Sequence, residues 1–100
     1  MPYTTKDYIQ ERREEDKEFD AIMKRQELAF PIAMEIIRLR DKAGLTQSQL
    51  AELIGTKQSA IARLENGDTI PTVQTLNKIA HALHRRLDIH FVEDDEVLYN

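Results

Sequence analysis

One hundred residues with 14 Lys/Arg, 18 Asp/Glu and a formal net charge of −4 describe one small domain, with room for an appended arm. The absence of cysteine excludes a disulfide framework, a thiolate metal site and a thiol nucleophile, and it suits a reducing cytosol. The opening residues MPYTTKDYIQERREED hold no apolar core, and no later run approaches about 18 apolar residues. A cytoplasmic chain with neither leader nor membrane span is expected.

The charge is unevenly placed. Residues 1–28 hold six bases and eight acids, residues 29–92 eight bases and six acids, and residues 93–100 four acids and no base. The middle therefore carries the only positive excess. Any phosphate-binding role has to come from where the bases stand, since their total is too small to show it.

Thr5 to Glu27 is rich in charge, free of Gly and Pro, and reads as a solvated helix. Its apolar residues are sparse: Tyr8, Ile9, Phe19, Ile22 and Met23, the last three at i, i+3, i+4. Residues 1–28 are read as a charged helical arm that lies on the domain or orders on a partner protein. Pro31 suits a first helical turn and is read as opening a new element, with Ile32, Ile36, Leu39 and Ala43 at helical spacing and Gly44 ending it. Thr46 with Gln49 forms a capping-box pattern ahead of the stripe Leu50, Leu53, Ile54. Gly55 breaks that run, Thr56 is expected to cap the next helix, and Ile61 and Leu64 face inward before Gly67. Pro71 and Thr72 start a further helix with the stripe Val73, Leu76, Ile79, Ala80, Leu83. Beyond His84, Leu87, Ile89 and Phe91 alternate with other residues at period 2, which predicts a half-buried strand over residues 85–92. One strand cannot satisfy its own backbone, so pairing with the same strand of a second copy, or with an edge of another protein, is expected, and Leu87, Ile89 and Phe91 are assigned to dimerisation. Residues 93–100 read as a solvated acidic end.

Gln47 to Asn66 is more specific than two amphipathic helices. Two helices crossing steeply need a small residue at their closest approach, and Ala51 stands there. They also need positive φ in the turn, which Gly55 supplies four residues later. Leu50, Ile54, Ile61 and Leu64 occupy the inward positions.

On these residues the run IIRLRDKAGLTQSQLAELIGTKQSAIARLENGDTIPTVQTLNKIAHAL resembles the Cro/lambda-repressor-like (XRE) class of helix-turn-helix domains. LTQSQLAELIG, ARLENG and the PTVQTL start of the next helix carry the resemblance. It implies an all-α, compact lambda-repressor-like bundle over residues 29–84, here with the N-terminal arm and one C-terminal β-strand. It also implies a buried ion pair between Arg40 and Glu65, which would orient the recognition helix. In this motif the second helix enters the major groove by its N-terminal residues, here Lys57, Gln58 and Ser59, with Ala62 and Arg63 one turn on. Gln58 suits adenine, and Lys57 or Arg63 suits guanine. Gln47 and Thr56, and the loop Asn66, Gly67 and Thr69, are expected at the DNA backbone. Asp68 puts an acid into that loop, against the expected field. A modest positive excess predicts a homodimer on double-stranded palindromic DNA, with half-sites about 10 bp apart.

The arm and the closing strand together resemble HigA-type antitoxins. That resemblance implies a small basic RelE/HigB-like ribonuclease toxin as partner, held by Tyr8, Ile9, Phe19, Ile22 and Met23, and repression of a shared operon. The alternatives are a free-standing XRE-type regulator and a protein-interaction module that does not touch DNA. No enzyme is expected, because there is no Cys, no phosphate-binding Gly-rich loop and no HExxH. No cofactor is expected either. His81, His84 and His90 read as surface residues and not as a metal site.

Overall fold

In the computed structural model, which describes residues 2–94, five helices follow one another: α1 (Thr5–Glu15), α2 (Lys17–Lys42), α3 (Gln47–Ile54), α4 (Gln58–Glu65) and α5 (Val73–Ala82). Thr4 caps α1 in a reciprocal box with Asp7. One residue then serves two helices. The backbone N–H of Asp16 donates to the Arg12 carbonyl and closes α1, while its carboxylate accepts from the N–H groups of Glu18 and Phe19 and opens α2. At the reversal the Arg12 guanidinium lies 4.2 Å from the Phe19 ring centroid, and Arg13 bridges Asp20 and Glu27. The arm is thus an ordered helical turn-back.

Pro31 does not open an element. It lies inside α2, which runs from the arm into the domain across the expected boundary at residues 28 and 29. Proline removes one N–H and crowds the preceding turn. Burial of the flanking Ala29 and Ala33, both no more than 3% exposed, holds the helix through that defect.

The core gathers Ile36 from α2, Leu50 and Ala51 from α3, Ile61 and Leu64 from α4, and Ile79 and Leu83 from α5 and its end. Leu50 and Ile61 are fully buried. Ile32, Leu39, Ile54 and Leu76 pack against this cluster. Two residues of the expected stripes face water instead: Leu53 is 60% exposed and Val73 62%. On α3 the buried Ala51 draws the inward arc from Leu50 through Ile54 to Ala51, and Leu53 falls about 60° outside it, at ~100° per residue. Val73 is the first residue of α5, at the rim of the core.

Beyond Leu83 the chain forms no strand among the described residues, which corrects the expectation for residues 85–92. Leu87 is half-buried, while Ile89 and Phe91 are exposed. A period-2 pattern marks which side chains could share a face, but a ladder also needs a partner backbone, and none of the described residues offers one. Residues 95–100 of the expected acidic end lie outside the described residues. No helix among the described residues is long and apolar enough to cross a membrane.

Candidate nucleic-acid interface

Thr46 opens α3 in the expected capping box, accepting from the Gln49 N–H at 3.0 Å while Gln49 Oε1 accepts from the Thr46 N–H at 2.8 Å. Gly55 ends the helix at φ 75°, and the Thr56 N–H reaches back to the Ala51 carbonyl at 2.9 Å. Three residues later α4 begins. Its N-cap is Lys57 and not the expected Thr56, and no side chain caps it. Gly55 spends the positive φ that turns the chain, which moves the extended cap position on to Lys57. At the far end Gly67 repeats the device: the N–H groups of Gly67 and Asp68 donate to the carbonyls of Leu64 and Arg63.

The orientation of α4 is fixed by a chain of polar contacts that starts in α2. Arg40 grips Glu65 with a fork, Nε to Oε2 at 2.6 Å and Nη2 to Oε1 at 2.8 Å, and its Nη1 donates to the Leu45 carbonyl at 2.8 Å. The side chains are 14% and 4% exposed. Gln47 Nε2 donates to Glu65 Oε1 at 3.0 Å, and Gln58 Nε2 donates to Gln47 Oε1 at 2.7 Å. Burial alone pushes the Glu65 carboxyl up, but the hydrogen bonds from Arg40 and Gln47 outweigh it and hold the group below its ordinary value. The same pairing holds the Arg40 guanidinium above its ordinary value. No buried side-chain N or O among the described residues lacks a partner.

Of the residues expected to face DNA, this network holds Gln47 and Gln58. Lys57, Gln58, Ser59 and Arg63 are exposed and Ala62 is half-buried. Among the described residues neither Lys57 nor Arg63 is in an ion pair, so both charges are free. Gly55, Thr56, Lys57, Ser59 and Arg63 line an open concavity of about 530 Å³. Gln47, the first residue of α3, is half-buried, with its amide hydrogen-bonded to both Glu65 and Gln58. Asn66 and Asp68 are exposed in the following loop, with Gly67 and Thr69 half-buried.

The residues assigned to a partner separate into two sets. Tyr8 and Ile22 are exposed, whereas Ile9, Phe19 and Met23 are half-buried. Sequence reasoning missed Phe30 and Met34, which are 65% and 50% exposed on α2. Their i, i+4 spacing beside the buried Ala29–Ala33 pair was the signal available. Among the described residues no cluster of His, Asp or Glu could hold a metal ion.

Comparison with known proteins matches a family profile, Helix-turn-helix (HTH_3), to residues 36–89, from the end of α2 to beyond α5. An HTH-type transcriptional regulator of Haemophilus influenzae is 40% identical over 62 residues, covering 62% of this chain and 63% of that protein. One from Archaeoglobus fulgidus is 36% identical over 64 residues, covering 64% of this chain and 91% of that protein. The crystal structure of an HTH_3 family transcriptional regulator from Vibrio cholerae superposes with a TM-score of 0.58 at 31% identity, over 61% of this chain and 34% of that one. Sequence match and fold agree, and the chain belongs to the helix-turn-helix family HTH_3.

Proposed function

We propose that this chain is a sequence-specific DNA-binding transcriptional repressor, acting as a homodimer on a palindromic operator. The observation that carries the reading is Gln58, exposed at the start of α4 yet held by Gln47 in a network anchored on Arg40 and Glu65. A base-reading amide gains specificity when its orientation is fixed before binding, because less rotamer freedom is lost on contact. Lys57 and Arg63 flank it as free cations, suited to guanine or phosphate. The names of the three proteins compared above, all transcriptional regulators, support the same reading.

Within that reading the chain acts as the antitoxin of a toxin–antitoxin pair. Residues 1–28 hold a small basic RelE/HigB-like ribonuclease, and the complex represses its own operon. The ordered helical arm supports this, since it carries exposed Tyr8 and Ile22 and a net negative charge away from α4. A free-standing regulator is the second reading, favoured because the family match begins at residue 36 and leaves the arm outside it.

Both readings are tested by a gel shift on DNA from upstream of the chain's own gene, together with a tagged pulldown from the source cells. A shifted palindrome and a small basic co-purifying protein, lost when residues 1–28 are removed, is the expected result. A shift without such a protein leaves the free-standing regulator, and no shift on any operator-sized fragment overturns DNA recognition.

A further inference from the structure

Between α2 and the end of α5 runs an apolar groove of about 500 Å³, lined by Pro31, Ile32, Leu39, Leu76 and Ile79 and bordered by Arg85 and Arg86. Two acids also face it. Glu35 is engaged by Arg38, with contacts at 2.6 and 3.3 Å, and Asp88 stands at the rim. Neither Arg85 nor Arg86 is in an ion pair among the described residues. From this rim the chain continues as Ile89, Phe91 and Val92, which are 60%, 104% and 78% exposed. Phe91 follows Asp88 by three residues, a reach of roughly 10 Å for extended chain, yet its ring lies wholly in solvent. Three large apolar side chains left this bare within four residues are uncommon on a monomer's surface and mark an interaction site.

The geometry points to a second copy of this chain as the occupant of the groove: Phe91, with Ile89 and Val92, enters the groove of its partner, and the partner's Phe91 enters this one. This rests on the dimer reading above and gives that dimer an interface built from side chains, without a strand ladder. Two features favour the copy over an unrelated partner. Finger and groove are on the same chain, so a two-fold axis buries both at once and repeats every contact. A buried Phe removes roughly 150–250 Å² from water, and the symmetry doubles that gain. The charges also match. Glu93 and Asp94 follow the apolar residues directly and would pass, on the partner copy, Arg86, which is in no ion pair among the described residues, and Arg85, whose charge acts on Glu35 across the groove.

The absence of native cysteine makes the test direct. Pro31 lies at the exposed groove wall and Val92 in solvent beside Phe91, so Pro31→Cys and Val92→Cys leave both the core and the Phe91 ring untouched. The double variant is oxidised at micromolar concentration and resolved by non-reducing electrophoresis, beside the mass of the unmodified chain and of Phe91→Asp from sedimentation. The expected result is a covalent dimer from the double variant, absent after reduction, with an unmodified chain of dimeric mass and a Phe91→Asp variant shifted to monomer. A disulfide within one chain overturns the proposal, because the finger then occupies its own groove. An unmodified dimer with no cross-link, or with Phe91→Asp still dimeric, overturns the interface and leaves the dimer reading standing. A monomer at all concentrations overturns both.

Discussion

Gln58 Nε2 donates to Gln47 Oε1 at 2.7 Å, joining the first residue of α4 to the first residue of α3. A second polar contact joins the same two helices, from Gln47 Nε2 to Glu65 Oε1 at 3.0 Å. With this bond the side chain that leads α4 is set by the helix behind it, and Gln47 is set in turn by Glu65.

Gln58→Ala is therefore expected to cost specific operator binding about 10-fold, within the roughly 1–3 kcal/mol of a bidentate base contact, and to leave non-specific binding nearly unchanged. Gln47→Ala leaves Gln58 in place but frees its amide, so a smaller loss of the same kind is expected. Titrations on operator and scrambled DNA at fixed salt separate the two terms. Equal losses on both DNAs would remove Gln58 from base reading.

The Arg40–Glu65 pair makes a different demand. Both partners are largely buried, so removing Glu65 leaves the Arg40 guanidinium with only the exposed Asp41 at 3.5 Å and the Leu45 carbonyl as partners. Glu65→Ala is expected to lower unfolding stability by about 3 kcal/mol, the scale for breaking a buried pair from one side. A pH dependence accompanies it. The folded Glu65 pKa lies below its ordinary 4.5, so the unfolded chain binds more protons near and below that value. The stability from Glu65 is fully present above pH 4.5 and is lost as pH falls through the depressed folded value. Urea midpoints measured from pH 6 down to pH 3 should fall less steeply in Glu65→Gln than in the unmodified chain. Parallel profiles would show that Glu65 carries no part of the acid sensitivity.

The helix-turn-helix was legible in the sequence because each of its demands falls on one residue type at one place: a small residue at the crossing (Ala51), positive φ in the turn (Gly55), and aliphatic residues facing the core at Leu50, Ile61 and Leu64. The ion pair followed from the resemblance, and the structure gives it the expected partners. Features that depend on what a segment packs against were less legible. Leu53 matches the α3 period as well as Ile54 does, and only the positions of α4 and α5 decide which is covered. The pattern after His84 looks like a strand, yet alternation says nothing about whether a neighbouring backbone exists. Of the site itself, the exposed face of α4 was readable, but the Gln47–Gln58 bond needed the crossing angle of two helices.

Pro31 was read as a start and proved to be a helix interior, which gives it a measurable consequence. Its missing N–H leaves the Glu27 carbonyl without the usual intrahelical donor. Pro31→Ala restores a donor at an exposed position, so higher stability is expected, by at most about 3 kcal/mol. Thermal unfolding followed by circular dichroism should show a raised midpoint and more helical signal. An unchanged midpoint would mean that the Glu27 carbonyl already finds a donor elsewhere.

Gly55 and His84 are in the same left-handed region, at φ 75° and 57°, each closing a helix, but only one of them is glycine. After His84 the N–H of Arg85 reaches the Ala80 carbonyl at 2.7 Å, just as the Thr56 N–H reaches Ala51 after Gly55. A Cβ added at Gly55 would meet no atom within 4 Å, so its penalty is backbone strain and not a clash. Gly55→Ala is thus expected to destabilise by about 1 kcal/mol. His84→Gly relieves the same strain at an exposed side chain that makes no hydrogen bond among the described residues, and it is expected to stabilise by somewhat less, since glycine gains freedom in the unfolded chain. The two substitutions should move the urea midpoint in opposite directions at unchanged m-value. A His84→Gly midpoint below that of the unmodified chain would mean that the imidazole has a contact worth more than the strain it carries.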